Sequence, residues 1–597
     1  MVPIIQENGD GEQQRVKELE TIRKRLAELE RGQKLGLAWR DISEDVETLL
    51  RDEMPVLVHE PDLDITGKPP SDQSHILIEG DNLHALHVLQ ATHKGAIDII
   101  YIDPPYNTGS HDFVYNDKYV DLDDDFRHSK WISFMNKRLD LAKKLLKDDG
   151  IVFISIDDGE QAHLRILCDK IFGERNFVCQ FIIDKTAQGA NQSATFKKTH
   201  EYCLLYTSGL HNMIDSDIET GTDEKKYKYR DDRGLYAVTN SFDSINSPLS
   251  ANKNRGYTVY YNEKTGDAEI RTEYDRIHGT FNNFEKDLIK KGFTPIRPGI
   301  RKGVQYPWNW TSERFLTDYK RDLVFMKNKK GQLGIYHKNR ATGKTKDTTI
   351  KRFDTRNFGN QLLVDILGER KFDYPKSLDM MTWVISKHKS KSALVLDFFA
   401  GSGTTGHAVL EINKIDGGNR RFIICTNNES DICREVTQPR LKAVLTGKWA
   451  DKEKHDPLPG SLSFYKTGFI KRLKSPDRMR TEIAKHTVDL IAIKEGAGTT
   501  VSRTTDLVVL HGLNKTVAVA AGLEPEHSKL FANVEKKVRD GDHKTVYLFT
   551  WSDQGVEEEI AAFWPGWVVQ PLPSEMLAAL RRNAPTPSLF DVDGGSQ

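Results

Sequence analysis

The apolar run Ile97 to Ile102 is cut off by Asp103-Pro104-Pro105-Tyr106. Two consecutive prolines cannot continue a central strand or enter a helix interior, so a buried strand has to stop there. The chain then makes a stiff turn at the strand's carboxyl end, carrying one carboxylate, ring-restricted carbonyls and one aromatic ring. In open α/β sheets, ligands bind at that edge.

The flanking pattern supports such a sheet. His75-Ile76-Leu77-Ile78 reads as a strand ended by Glu79-Gly80-Asp81-Asn82, and Leu83, Leu86, Val88 and Leu89 then line a helix. Residues 111 to 128 are polar and acidic and read as a loop over a site. Trp131, Met135, Leu139, Ala142 and Leu146 recur at helical spacing, and Asp148-Asp149-Gly150 is expected to close that helix. Ile151 to Ile156, Phe181 to Ile183 and Tyr202 to Tyr206 predict further strands, with a helix around Leu164 to Ile171. Alternating strands and helices with short links predict a doubly wound α/β sheet.

The alternation stops at residue 209; residues 209 to 370 are polar and turn-rich, and the α/β pattern resumes at Ala393. That polar stretch is too long for a loop, so it predicts an inserted domain. Within it, Lys320 to Arg352 holds 11 Lys/Arg against 2 Asp/Glu, although the whole chain of 597 residues carries a net charge of only −1. Such a patch is either a solvated basic face or a phosphate-contacting surface. After Ala393, the strand Leu394 to Phe399 meets the turn Ala400-Gly401-Ser402-Gly403-Thr404-Thr405-Gly406 and then a helix. G-x-G-x-x-G between strand and helix lets a backbone approach a ligand closely, and it fits a dinucleotide as well as other cofactors. Asp397-Phe398-Phe399-Ala400 before it and Thr404-Thr405 after it have the look of an S-adenosylmethionine turn.

The remaining boundaries are less sharply marked. Residues 13 to 32 predict an amphipathic helix, residues 55 to 72 a linker, and residues 452 to 597 a small α/β domain with a disordered tail. The five cysteines form no CxxC pair, which argues against a zinc knuckle or a disulfide framework. No apolar run is long enough to span a bilayer and no signal peptide opens the chain, so a cytoplasmic protein is expected.

Together, Asp-Pro-Pro-Tyr and Asp-Phe-Phe-Ala-Gly-Ser-Gly-Thr-Thr strongly resemble the amino-methyltransferases of DNA. Their order resembles the circularly permuted β group, with the catalytic turn first and the cofactor turn last. Ile102 to Gly109, Phe113 to Asp117 and Trp131 to Met135 are similar to the Mod subunit of Type III restriction–modification systems. The resemblance implies a Rossmann-like methyltransferase sheet. It divides the chain into an N-terminal arm and linker (1–72), a catalytic part (73–208), a target-recognition domain (209–370), a cofactor part (371–451) and a C-terminal domain (452–597). It implies S-adenosylmethionine as cofactor, no metal, and methyl transfer to adenine N6 in double-stranded DNA. Asp103 and Pro104 would accept the amine's two N–H bonds, Pro105 would stiffen the turn, and Tyr106 would stack on a flipped base. Asp at the first motif position favours adenine. Cofactor contacts would come from Asp397, Phe399, Gly401, Gly403 and Thr404, with Asp81 and Asn82, which an ordinary turn also explains. Lys376 and Ser377 would meet the carboxylate. Thr426 stands where many relatives carry a ribose acid, so Glu429, or Asn428, would replace it. DNA contacts are expected from Lys327, Lys329, Lys330, Lys338 and Arg340, and from Trp308 and Trp310 unless these form a core. A homodimer and a separate helicase–nuclease subunit are implied. A solitary methyltransferase, a nicotinamide-dependent oxidoreductase and a specificity module without activity remain alternatives.

Overall fold

The computed structural model describes residues 53–68, 74–109, 113–184 except 116, 117 and 122, 199–209, 213–219, 227–340 except 245 and 329, 344–353, 359–471 except 452, 476–504, 507–520, 527–548 and 562–571, with Glu44 and Leu50. The expected helix at 13–32, the tail and Lys329 lie outside these. The chain forms two compact units, residues 216–347 and the remainder. Among the described residues no helix is long and apolar enough to cross a membrane.

The larger unit is built on one sheet. Its strands are β1 (Glu53–His59), β2 (Ser74–Glu79), β3 (Ile97–Ile102), β4 (Leu146–Ile156), β5 (Phe177–Asp184), β6 (His200–Thr207), β7 (Ile350–Arg352), β8 (Leu394–Asp397), β9 (Arg421–Thr426) and β10 (Ser461–Lys471). They lie in the order β1-β10-β2-β9-β8-β3-β4-β6-β5-β7, and an eleventh, short strand, Ile65–Thr66, also pairs with β10. The stretch from β10 to β4 is parallel, whereas β1 and β6 run antiparallel to their neighbours in that stretch. A parallel sheet has to be covered on both faces, and here it is. Helices α1 (Asn82–His93) and α2 (Arg127–Leu145) pack Leu86, Leu89, Trp131 and Leu139 on Ile76, Ile100 and Ile154. On the other face α3 (Leu378–Ser386), α4 (Thr404–Asp416) and α5 (Gln438–Thr446) pack Met381, Val409 and Leu441 on Leu77, Ile99 and Ile424. Alternate residues of each central strand thus serve opposite cores, which is why these strands read as unbroken apolar runs.

Three expectations are corrected. Residues 55 to 72, expected as a linker, begin inside β1, which pairs along its length with β10. Pro55 is tolerated because β1 is an edge strand. The C-terminal region does not begin as a separate body at 452, because β10 adds to the main sheet beside β2. A separate five-stranded sheet follows, from Thr499–Arg503 to Val568–Pro571. Asp148-Asp149-Gly150 does not cap α2. The helix ends at Leu145, and the pairing of β3 with β4 jumps from Ile97↔Leu146 to Ile99↔Ile151, so these residues bulge within β4.

The smaller unit is narrower than the expected 209–370 insert. It holds a four-stranded antiparallel sheet of Tyr229–Asp231, Gly234–Ser241, Leu333–Arg340 and Leu323–Lys327, a three-stranded sheet, and the helix Ser312–Asp322. Phe242, Tyr257, Trp308, Trp310 and Phe315 form its core.

Candidate active site

The two singled-out turns are far apart in the chain and adjacent in the sheet. β3 and β8 are parallel neighbours, with Ile99 opposite Val395 and Ile100 opposite Leu396. The turn at Asp103 and the turn at Phe398 therefore leave the same carboxyl edge side by side, where such sheets bind ligands. Asn82, the first residue of α1, ties them further: its Nδ2 donates to the Phe398 carbonyl at 2.9 Å, and its Oδ1 accepts from Arg138 Nε at 2.5 Å.

Asp103 stands in a hydrogen-bonded group of four. The Tyr106 hydroxyl lies 2.8 Å from Asp103 Oδ1 and 3.1 Å from Glu201 Oε2. Lys376 Nζ lies 3.1 Å from Asp103 Oδ1, 2.6 Å from the Tyr106 hydroxyl, and 3.0 and 2.9 Å from the two Glu201 oxygens. The group carries two carboxylates and one ammonium. Burial pushes the Asp103 carboxyl above the usual carboxylate range. The Lys376 charge pulls it back, and the Glu201 charge adds to the rise. Burial works against the Lys376 charge as well, but the two carboxylates outweigh it and hold the ammonium above the ordinary lysine value. Burial and the same two carboxylates raise the Tyr106 phenol, which stays neutral. The main chain of the turn is pinned from behind, because Trp131 Nε1 donates to the Pro105 carbonyl at 2.7 Å.

The Gly-rich turn is fixed from its own side. Gly401 and Gly403 have φ of 48° and 76°, and a Cβ on Gly403 would come within 2.9 Å of Thr437 Cγ2. Asp397 closes the turn locally. It accepts from Phe399 N at 2.9 Å and Thr405 Oγ1 at 2.5 Å, and burial pushes its carboxyl up to about 7 against those bonds. Thr404 Oγ1 points inward to Arg440 Nη1 at 2.7 Å.

A family model described as DNA methylase matches residues 97–438. The chain belongs to the DNA methylase family. It is 34% identical to the Type II methyltransferase M.KpnI of Klebsiella pneumoniae, over 60% of this chain and 82% of that one. It is 31% identical to the Type III restriction-modification enzyme EcoPI Mod subunit of Escherichia phage P1, over 60% of this chain and 58% of the relative. The StyLTI Mod subunit of Salmonella typhimurium is 32% identical, over 63% of this chain and 56% of its own. The methylase thus spans less than two thirds of either Mod subunit.

In this methylase the remaining expected site residues divide into those the fold brings together and those it does not. Asp81 caps α1 through Leu83 N at 2.7 Å and stands 3.6 Å from Arg138 Nη2, with about a third of its side chain, 35%, exposed. Phe399 packs at 5.9 Å on Phe134. Ser377 Oγ is buried with no hydrogen-bond partner. Glu429 is exposed on the loop after β9. Lys376, expected at a cofactor carboxylate, lies instead among Asp103, Tyr106 and Glu201. Asp397 and Thr404 turn inward to hold the Gly-rich turn.

The expected DNA contacts are partly redrawn in the smaller unit. Trp308 and Trp310 are core residues, 3% and 8% exposed, and Trp308 Nε1 donates to the Tyr257 carbonyl at 2.7 Å. Lys338 and Arg340 are spoken for: both bind Asp231, at 2.8 Å and 2.7 Å, and reach the backbone carbonyls of Lys320 and Arg321. Lys327 and Lys330 are exposed, Lys327 in a surface pair 3.0 Å from Glu263.

Three site residues escaped the sequence reading. Glu201 is the second residue of β6, and an acid directly before the apolar run Tyr202 to Tyr206 is a usable signal. Arg138 is 1% exposed and joins Glu44 at 3.0 Å to Asn82 and Asp81. Glu160 is buried and accepts from Asn107 Nδ2 at 2.6 Å, holding the residue after Tyr106 at φ 57°. It also meets His128 Nδ1 at 2.7 Å and His163 Nδ1 at 2.8 Å. Because Arg127 Nε donates to His128 Nε2, the His128 proton sits on Nδ1 and points at Glu160.

Proposed function

We propose that this methylase transfers a methyl group from S-adenosylmethionine to the N6 amino group of adenine in double-stranded DNA, as the modification subunit of a Type III-like restriction–modification system. The observation that carries the reading is the pairing of the Asp103 turn with the Gly401–Gly403 turn on neighbouring parallel strands. One turn offers acceptors to an amine; the other offers an open backbone to a cofactor.

The residues present fit that cofactor. Ser377 Oγ is a buried hydroxyl awaiting a partner, and the first turn of α4 has no side-chain cap, so backbone N–H groups and a hydroxyl are available to a carboxylate. Asp81 and Glu429 can take hydroxyl and amine hydrogens. When bound, S-adenosylmethionine supplies a methyl group activated by its sulfonium. The chain's own residues do the rest. An exocyclic amine is a poor nucleophile because its lone pair is delocalised into the ring. Asp103 accepts one of its N–H bonds. The Pro104 carbonyl accepts the other, the Pro105 carbonyl being held by Trp131. The two acceptors draw the nitrogen toward tetrahedral geometry and stabilise the positive charge that builds on it. The proton released after transfer passes to Asp103, whose side chain is 26% exposed and returns it to solvent. Base extrusion is required for access, and Tyr106 offsets the lost stacking.

A methyltransferase that acts alone, outside any Type III-like complex, is the second reading. The chain covers 82% of the Type II methyltransferase M.KpnI against 58% of the EcoPI Mod subunit, which favours an enzyme built without the Mod-specific regions. Under the first reading the protein works as a homodimer that docks a separate helicase–nuclease subunit. Asp103→Ala tests the chemistry: 6-methyladenine in cellular DNA, read by mass spectrometry, is expected to vanish while duplex binding persists. Methylation retained by that variant, or 4-methylcytosine as the product of the wild type, overturns the reading. Copurification of a second subunit separates the two system types.

A further inference from the structure

In the smaller unit, a cleft of about 700 Å³ lies between two tight turns. One turn is a hairpin, Ile300–Arg301 against Val304–Gln305, reversed by Lys302 and Gly303 at φ 50° and 76°. Both central residues have positive φ, the geometry of a rigid two-residue hairpin turn. Gln305 Nε2 anchors its base to the Pro298 carbonyl at 2.5 Å. The other turn spans Asn328 to Gln332. Asn328 Oδ1 accepts from Lys330 N at 2.8 Å and Gln332 N at 3.1 Å, so the turn is braced by its own side chain. Each tip carries an exposed lysine, Lys302 and Lys330, while Asn328, Gln332 and Arg301 line the space between.

Arg301 is the most constrained of these. Its Nη2 donates at 2.7 Å to Asp243 Oδ2, and Asp243 is buried beneath it, its other oxygen taken by the Ser241 hydroxyl. Gly299 makes room for this pair, since a Cβ there would stand 2.7 Å from Asp243 Oδ2. Asp243 is fixed in turn by its backbone bridge to Trp308. The result is a guanidinium held at one corner by a buried acid, with 41% of its side chain facing solvent. An arginine fixed in this way presents its remaining N–H fork without losing side-chain freedom on binding. In a major groove the partner for that fork is the N7 and O6 pair of guanine. Lysine tips on either rim suit phosphates, which position a duplex without reading it.

We propose that this cleft is the base-reading surface of the protein, that Arg301 specifies a guanine in its recognition sequence, and that Lys302 and Lys330 contact the flanking phosphates. The proposal rests on the reading that the protein methylates duplex DNA. Lys338 and Arg340, bound by Asp231, and the Trp308 indole N–H, bound by the Tyr257 carbonyl, are left out of this surface.

The test uses the full chain. Single-molecule sequencing of DNA from cells expressing wild type, Arg301→Ala or Arg301→Lys gives the methylated sequence of each. Both variants are expected to relax one guanine position, with discrimination there falling about tenfold or more. Arg301→Lys keeps the ion pair with Asp243, so its result does not depend on whether Arg301→Ala folds. Lys302→Glu with Lys330→Glu is expected to weaken binding to every duplex by about tenfold and to lower the salt slope by about two. An unchanged motif in both Arg301 variants, or a wild-type motif without guanine, overturns the assignment of Arg301. Unchanged binding by the lysine double variant overturns the cleft. A wild type that binds duplex and marks none refutes the proposed reaction, and the binding arm alone then decides the cleft.

Discussion

Glu201→Gln is the sharpest test of the role proposed for the hydrogen-bonded group of four. The Glu201 side chain is 2% exposed and holds Lys376 Nζ through both oxygens, at 3.0 and 2.9 Å, as well as the Tyr106 hydroxyl at 3.1 Å. Removing one partner of a buried ion pair costs about 3–5 kcal/mol, and a charge-assisted hydrogen bond is worth about 1.5–3 kcal/mol. Glutamine keeps one acceptor oxygen, which places the total near the lower end, about 3 kcal/mol. Part of this appears as lost stability. The rest appears in the chemistry, because Lys376 then leans on Asp103 alone and weakens it as an acceptor for the amine. If about 2 kcal/mol is expressed in the transition state, methyl transfer slows about thirtyfold. A second readout separates this from general damage. Asp103 has to be ionised to accept the amine, and burial puts its carboxyl above the usual range, with Glu201 adding to the rise. The acid limb of the wild-type rate therefore lies above that range, and in Glu201→Gln it moves to lower pH. The assay is single-turnover transfer of a tritiated methyl group to duplex at saturating cofactor and DNA, between about pH 5 and 9. A folded variant with a rate within about twofold of wild type and an unmoved acid limb refutes the reasoning; Glu201→Asp should recover part of the rate.

Gly403→Ala puts a Cβ 2.9 Å from Thr437 Cγ2 at φ 76°; a strained residue of this kind costs about 1–3 kcal/mol, so calorimetry should show cofactor binding weakened about tenfold. Asp397 is raised by burial to about 7 from 3.8. The stability it contributes is complete below the unfolded value and is lost as pH rises through the folded one. The melting temperature of wild type minus that of Asp397→Asn should therefore fall between about pH 4 and 7 and level off above, and a flat difference refutes the assignment. Arg138→Ala removes the guanidinium 3.0 Å from buried Glu44 and leaves it Lys137 at 3.7 Å. Urea denaturation is expected to show a loss of about 3–5 kcal/mol, and a loss under about 1 kcal/mol would show that Arg138 is not holding the loop ends together.

The features legible in the sequence were those that one segment determines by itself. β3 and β4 are buried on both faces, so their apolar runs announced strands. The prolines at 104 and 105 stopped one of them, and the glycines at 401 and 403 marked a turn that only positive φ allows. The prolines, glycine and acidic residues of 55 to 72 read as a linker, yet Pro55 lies in β1, an edge strand that tolerates a missing N–H, and sequence alone cannot tell edge from centre. Lys338 and Arg340 raised the local positive charge, but the acid that neutralises them, Asp231, belongs to another strand of the same small sheet.

The same limit explains why the Asp103 turn is legible in the sequence and the charges around it are not. Asp103 and Tyr106 are three residues apart, so one motif contains both. Glu201 and Lys376 are separated by 175 residues and meet only because β6 lies beside β4 and the segment before α3 returns to the same sheet edge. Lys376 looked like a cofactor contact because the residues around it resemble a segment near the cofactor. Its partners could be assigned only after two carboxylates were seen to converge on it. That convergence matters to the chemistry. With Lys376 alone beside it, Asp103 would be a stabilised anion with little to offer an amine. With Glu201 sharing the ammonium, the group retains an excess negative charge where positive charge develops on the nucleophile. A motif identifies the acceptor, and the fold decides how strong an acceptor it is.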